Sequence, residues 1–176
     1  MLKLAYFTRN VPGAETKVAA GSKLIPYAHT VKADINVIFT GTNGGWTAQN
    51  TASKNDENAV RDFAALVREQ AEFSNSGDKY VVIGLTNGYE DSWKLVNTIL
   101  AEEFGDNFLD IKAYMLSEQA AIDAGVTLTD EDLTYISGGH IPQSYLTSDL
   151  THFNDTGYAL IAKALNEKFV ELVYIE

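Results

Sequence analysis

The sequence predicts an α/β domain with a parallel sheet covered by helices on both faces. Three observations predict it. Short apolar runs rich in β-branched residues alternate with stretches whose apolar residues recur at helical spacing. Two of those strand-like runs end in glycine-bearing turns, at 41–45 and 86–88. With 176 residues, 45% hydrophobic and 21% charged, the chain has the length and composition of one soluble globular domain spanning 1–176.

The elements follow in order. Residues 2–7 form a short apolar run, a buried strand by pattern, closed by the turn Asn10-Val11-Pro12-Gly13. Residues 15–33 carry an imperfect helical face (Val18, Ala19, Leu24, Ile25, Ala28) that Pro26 kinks or splits. Residues 34–40 read as a strand ending at Gly41-Thr42-Asn43-Gly44-Gly45. A polar loop at 47–56 leads to a helix over 57–73, with Val60, Phe63, Ala64, Val67 and Ala71 on one face. A turn at 74–78 precedes a strand over 80–85, which ends at Thr86-Asn87-Gly88. Asp91 or Ser92 caps a helix bearing Leu95, Val96, Ile99, Leu100 and Phe104, and Gly105 ends it. Residues 108–115 read as a third inner strand. Short helices near 118–124 and 130–136 follow, and Ser137-Gly138-Gly139 and Pro142 break the chain. Asn154 or Asp155 caps a last helix, with Leu160, Ile161, Ala164, Leu165, Phe169 and Val170 facing inward. Crossovers between parallel strands are right-handed, so the glycine turns and the segment 149–152 gather along one edge, at the strand C-termini.

Composition narrows the function classes. A net charge of −11 argues against nucleic acid or an anionic membrane surface as partner, since both demand basic surface. The chain has no cysteine, which removes thiol chemistry, disulfides and cysteine-ligated metal. The apolar run at the N-terminus is too short for a signal peptide, and no stretch approaches the roughly 20 apolar residues of a membrane span.

The segment Asp149-Leu150-Thr151-His152 carries the clearest chemistry. An imidazole takes a proton from a hydroxyl and returns it to a leaving group, and a carboxylate beside it fixes its tautomer. His152 is thus a candidate general base and Asp149 its orienting partner, with a nucleophile needed to complete a triad. Asn43 offers a side-chain N–H to an oxyanion, and backbone amides near Gly13 offer a second donor. Each has a plainer explanation. An isolated Asp-x-x-His before a helix is more often a cap or a surface ion pair. Gly41-Thr42-Asn43-Gly44 alone is an ordinary turn. Trp46 after it either fills the core, the commoner use, or stacks on a sugar. Asp149 and His152 lack a third ligand at metal-binding spacing. His140, after two glycines, reads as an exposed loop histidine, and His29 as a helix C-terminal cap.

In combination and in this order, these segments resemble the SGNH (GDSL-type) hydrolase family, over nearly the whole chain from about residue 3 to the last helix. Asn10-Val11-Pro12-Gly13-Ala14-Glu15-Thr16 resembles its second block, whose glycine donates to the oxyanion hole. Gly41-Thr42-Asn43-Gly44 resembles the third, Gly-x-Asn-(Asp), with Gly44 in place of the usual Asp. Asp149-Leu150-Thr151-His152-Phe153-Asn154-Asp155-Thr156-Gly157-Tyr158 resembles the fifth, Asp-x-x-His followed by Asn-x-x-Gly-Tyr, and is the most specific. Ile141-Pro142 upstream also fits. The resemblance implies a three-layer, flavodoxin-like parallel sheet and hydrolysis of a carbohydrate or lipid ester, often an acetyl ester, through an acyl-enzyme. It implies His152 and Asp149 as catalytic residues, Asn43 and Gly13 as oxyanion donors, and Gly41, Thr42 and Trp46 on the substrate side. It implies no metal and no organic cofactor.

The family's first block, a strand leading into Gly-Asp-Ser with the nucleophilic serine, is not in this sequence; only twelve residues precede Gly13. Thr8 follows a strand-like run but lies too close to Gly13 to hold that place. In the family's sheet order 2-1-3-4-5, the first strand lies between those that residues 2–7 and 34–40 would form. Loss of an inner strand strips ladder partners from both neighbours. Three arrangements answer the gap: the chain is a truncated reading of a longer gene; a second copy or a complementing chain fills the slot; or the flanking strands close up and pair directly. A non-catalytic module of the same fold, binding carbohydrate or serving structure, is the alternative from a different class, and the missing serine favours it. A generic flavodoxin-like ligand binder would need a phosphate loop of recognisable spacing.

Overall fold

The computed structural model describes residues 12–14, 19–22, 32–42, 56–73, 76–86 and 92–176. Among these, strands β1 (Asn36–Ile38), β2 (Tyr80–Ile83) and β3 (Phe108–Leu109) form a parallel sheet in the order β1-β2-β3. Val37 lies opposite Val81, Ile38 opposite Val82, and Val82 opposite Phe108. Successive side chains of a strand point to opposite faces, and β2 shows what that does here. Val82 packs with Ile38 in one core cluster, while Val81 and Ile83 belong to the other.

The first cluster lies under α1 (Glu57–Phe73) and α2 (Ser92–Phe104). Val60, Ala64, Val67 and Ala71 of α1 are buried at helical spacing, and Phe63 packs beside them half-buried. The Asp56 carboxylate caps α1, accepting from the amides of Asn58 (3.0 Å) and Ala59 (3.3 Å). From α2 come Val96, Ile99, Leu100 and Phe104. Asn97, also buried, accepts from the Leu85 amide (2.7 Å) and donates to the Leu85 carbonyl (3.0 Å). That satisfies the backbone just past β2, where strand pairing has ended.

The second cluster lies under α3 (Ile111–Met115), α4 (Glu118–Ala124) and α6 (Asp155–Glu171), with α5 (Asp130–Ser137) to one side. Ile111, Met115, Ala120, Ile141, Tyr145, Leu160, Ile161 and Ala164 are, with Val81 and Ile83, its buried members.

Three expectations change. Residues 108–115 are not one strand: pairing stops at Leu109, and the Asp110 side chain accepts from the Ala113 amide (3.0 Å), capping α3. An aspartate ready to cap competes with the ladder for the chain at that point. Within the stretch 15–33, the described residues 19–22 are not helical. A turn closes at Ala19–Ser22 (3.1 Å), with Gly21 left-handed at φ 83°, a conformation no helix contains. Val170 does not face inward; it is 48% exposed, and Phe169 packs on the cluster instead. Residues 2–7, Asn43, Trp46 and most of 15–33 lie outside the described residues. No helix among the described residues is long and apolar enough to cross a membrane.

Candidate functional site

The segment singled out in the sequence folds as a tight loop between the 3₁₀ turn Gln143–Tyr145 and α6. Leu146 and Phe153 form an antiparallel bridge, and the Thr147 amide donates to the His152 carbonyl (2.8 Å), so the loop is closed at its neck. Asp149 organises its interior. Its Oδ1 accepts from Thr147 Oγ1 (2.7 Å), the Thr151 amide (2.8 Å) and the His152 amide (3.0 Å). Its Oδ2 meets His152 Nδ1 at 2.7 Å. Leu150 between them takes a left-handed φ of 55°, uncommon outside glycine, as the chain bends to bring both amides onto one oxygen.

The electrostatics follow from these contacts. The His152 ring above all, then its amide, Thr147 and the Thr151 amide, hold the Asp149 carboxyl well below the usual carboxylate range. An ionised Asp149 can only accept, so Nδ1 is the nitrogen that donates in this contact. Among the described residues Nε2 has no hydrogen-bond partner, and the His152 side chain is 74% exposed. The imidazole is therefore held at one nitrogen, with the other on the solvent side.

A second carboxylate anchors the neck. Asp132 is fully buried and accepts from the Thr129 amide (3.0 Å), Thr129 Oγ1 (3.0 Å), the Ser144 amide (3.0 Å) and Ser144 Oγ (2.6 Å). Burial pushes its pKa up, but the bonds from Ser144 and Thr129 outweigh burial and leave it lowered. Asn154 continues the clamp. Its Nδ2 donates to the carbonyls of Ser144 (2.9 Å) and Leu146 (3.0 Å), and its Oδ1 caps α6 at the Gly157 amide (3.0 Å). A Cβ on Gly157 would collide with the Tyr145 carbonyl oxygen and lie 2.7 Å from Phe153 Cδ1. The Asn-x-x-Gly pattern thus docks the helix against the neck of the loop.

Beside the loop is a cleft of about 100 Å³, lined by Thr86, Lys112, Tyr135, His140, Ile141, Leu146, Leu150, Thr151 and Phe153. Thr86 follows β2 and Lys112 follows β3, so the cleft and the loop stand at the C-terminal edge of the sheet, where open α/β sheets place ligands.

The structure brings Asp149 and His152 into contact, as their spacing predicts. Gly41 and Thr42 follow the end of β1, on the edge where β2 ends at the cleft. Gly41 has a structural reason of its own: its φ is 109°, and a Cβ would lie 2.6 Å from Phe63 Cζ. Gly13 is exposed. Asn43 and Trp46 are outside the described residues. Among the described residues no group of three or more His, Cys, Asp or Glu could hold a metal ion. Sequence reading missed Asp132, Lys112 and Tyr135 as parts of this region, and His140 enters as a wall of the cleft. For Asp132 the Thr129-x-x-Asp132 capping box was a visible signal of the helix start, but not of the bond to Ser144.

No family model, curated protein or solved structure matches the chain.

Proposed function

We propose that the chain is an ester hydrolase of the SGNH type, with His152 as general base and Asp149 as its orienting partner. The observation that carries this reading is the 2.7 Å contact between His152 Nδ1 and a carboxylate fixed by three further donors. It leaves Nε2 free to take a proton. The nucleophile is a hydroxyl that the sequence does not supply as Gly-Asp-Ser; water is the simplest. As the water oxygen attacks the ester carbonyl, its proton passes to Nε2, and Asp149 stabilises the imidazolium that forms. Donors such as the Asn43 side chain and the Gly13 amide would hold the oxyanion, with Gly41, Thr42 and Trp46 on the substrate side. Collapse breaks the bond to the alcohol, whose oxygen receives the proton back from Nε2. The substrate class is a small-molecule or carbohydrate ester. A complementing chain or second copy across the family's missing strand is the partner this reading names, and proton transfer through imidazole calls on no cofactor.

The non-catalytic reading has one observation in its favour. Asp149 Oδ1 serves the loop, accepting from the Thr151 and His152 amides, so a structural turn alone gives this carboxylate a role. Hydrolysis of p-nitrophenyl acetate by the purified chain, with His152→Ala beside it, separates the two. Loss of turnover by roughly 100-fold or more in the variant supports the base. Equal rates in both proteins contradict it and leave the binding module.

A further inference from the structure

Leu150 stands where the backbone does not favour it. It lies between Asp149 and His152, and its φ of 55° is in the left-handed region that glycine and asparagine enter most readily. The turn explains that backbone. The Leu150 amide donates to the Thr147 carbonyl (2.9 Å), and the two amides that follow reach Asp149 Oδ1. Neither demand calls for a leucine side chain. Nor does the core: Leu150 is 45% exposed and, among the described residues, belongs to neither buried cluster nor to the side chains packed against them. An apolar side chain kept in a strained, half-open position beside a candidate base points to a use outside folding.

The place of the side chain gives that use. Leu150 lines the cleft together with Ile141, Leu146 and Phe153. Ile141 is buried, and Leu146 and Phe153 are held by the antiparallel bridge at the neck of the loop, so Leu150 is the exposed member of a fixed apolar wall. Thr86 and Thr151 add hydroxyls to the same cleft. Hydrocarbon with a few hydrogen-bonding groups suits an uncharged molecule that carries both a chain and a carbonyl, as an ester does. The wall also adjoins the reacting group, because Leu150 and Thr151 directly precede His152.

We infer that Leu150 determines substrate specificity: the cleft takes an unbranched aliphatic chain of the ester, and Leu150 covers that chain at the rim. That the chain belongs to an ester rests on the hydrolase reading; that the cleft holds a chain is tested by binding alone.

2-Hexanone keeps a carbonyl and a four-carbon chain and cannot be hydrolysed, and acetone lacks the chain. Titration of the whole protein, followed by amide NMR, should give saturable shifts at Ile141, Leu150 and Phe153 with 2-hexanone and much weaker ones with acetone. Leu150→Asn suits the same backbone and removes the hydrocarbon. It should weaken 2-hexanone by roughly fourfold or more, the worth of one buried methylene group, while its thermal midpoint holds or rises. Turnover then tells which side of the ester carries the chain. p-Nitrophenyl butyrate against p-nitrophenyl acetate puts it on the acyl side, and butyl acetate against methyl acetate on the alcohol side. One of the longer esters should be preferred in kcat/KM, and the preference should fall by a similar factor in Leu150→Asn. A merely structural defect would lower both esters of a pair alike. 2-Hexanone binding no better than acetone, binding or preference indifferent to Leu150→Asn, or a clear fall in that variant's midpoint would each overturn the inference. Turnover that depends on His152 but shows no preference on either side would also overturn it, and would leave the hydrolase reading standing. 2-Hexanone bound through Leu150 in a protein without turnover would keep the chain site and sink the hydrolase reading.

Discussion

Asp149 and Asp132 sit at the rim and at the base of the same structural unit, and each accepts four hydrogen bonds from the protein. Both carboxyls are lowered from the usual range. What separates them is exposure and the kind of donor. Asp132 is fully buried, and its donors are amides and hydroxyls that do not titrate near neutral pH. The Asp149 side chain is 52% exposed, and one of its donors is an imidazole. The same number of bonds therefore does different work. At the base it ties α5 to the turn at Ser144, across twelve residues of sequence. At the rim it sets which nitrogen of a histidine holds the proton.

The largest way to break this comparison is Asp132→Ala. It leaves the Ser144 and Thr129 amides and two hydroxyls without their acceptor in a dry place, at a cost of about 3 kcal/mol or more. Urea unfolding should show the midpoint falling steeply, whereas Asp149→Ala, at an exposed site, should barely move it. A similar midpoint for both variants would erase the distinction.

Acid titration sharpens it further. A carboxylate whose folded pKa is lowered binds fewer protons folded than unfolded between the two values. Its stabilisation is complete above the unfolded pKa of about 3.9 and is lost as pH falls through the folded pKa. The wild type should therefore lose stability progressively below pH about 4, and Asp132→Asn should flatten part of that slope. An unchanged slope in Asp132→Asn would show that the buried carboxylate is not the acid-labile group.

The smallest effect concerns the base alone. The Tyr145 hydroxyl, next to this network, is buried with no hydrogen-bond partner among the described residues, and burial pushes its pKa up. Tyr145→Phe removes an unsatisfied polar atom and keeps the ring, so stability should hold or rise by about 1 kcal/mol. A clear loss in thermal midpoint would mean that the hydroxyl has a partner after all.

How legible all this was in the sequence depends on whether the signal was local. The helix over 57–73 was readable because Val60, Ala64, Val67 and Ala71 recur at helical spacing between a polar loop and a turn. Asp149 and His152 were readable because they lie three positions apart and the contact closes within one turn of chain. The Asp132–Ser144 bond was not, since it joins two polar residues of an irregular stretch and leaves no periodic trace. Lys112 was hidden for another reason. Residues 111–115 form an apolar run that suits a buried strand or a buried helix alike, and only the Asp110 cap decides between them. The polar members of the cleft come from α3, α5 and three loops, so proximity in space was the only signal that joined them.

The central claim is that Asp149 holds His152 with its proton on Nδ1 and its Nε2 bare. Nitrogen-15 NMR of the imidazole at a pH where the ring is neutral tests it directly. The account predicts a protonated Nδ1 and an unprotonated Nε2 in the wild type, with that preference lost in Asp149→Asn. A wild-type ring with its proton on Nε2, or one whose tautomer is the same in both proteins, would contradict it.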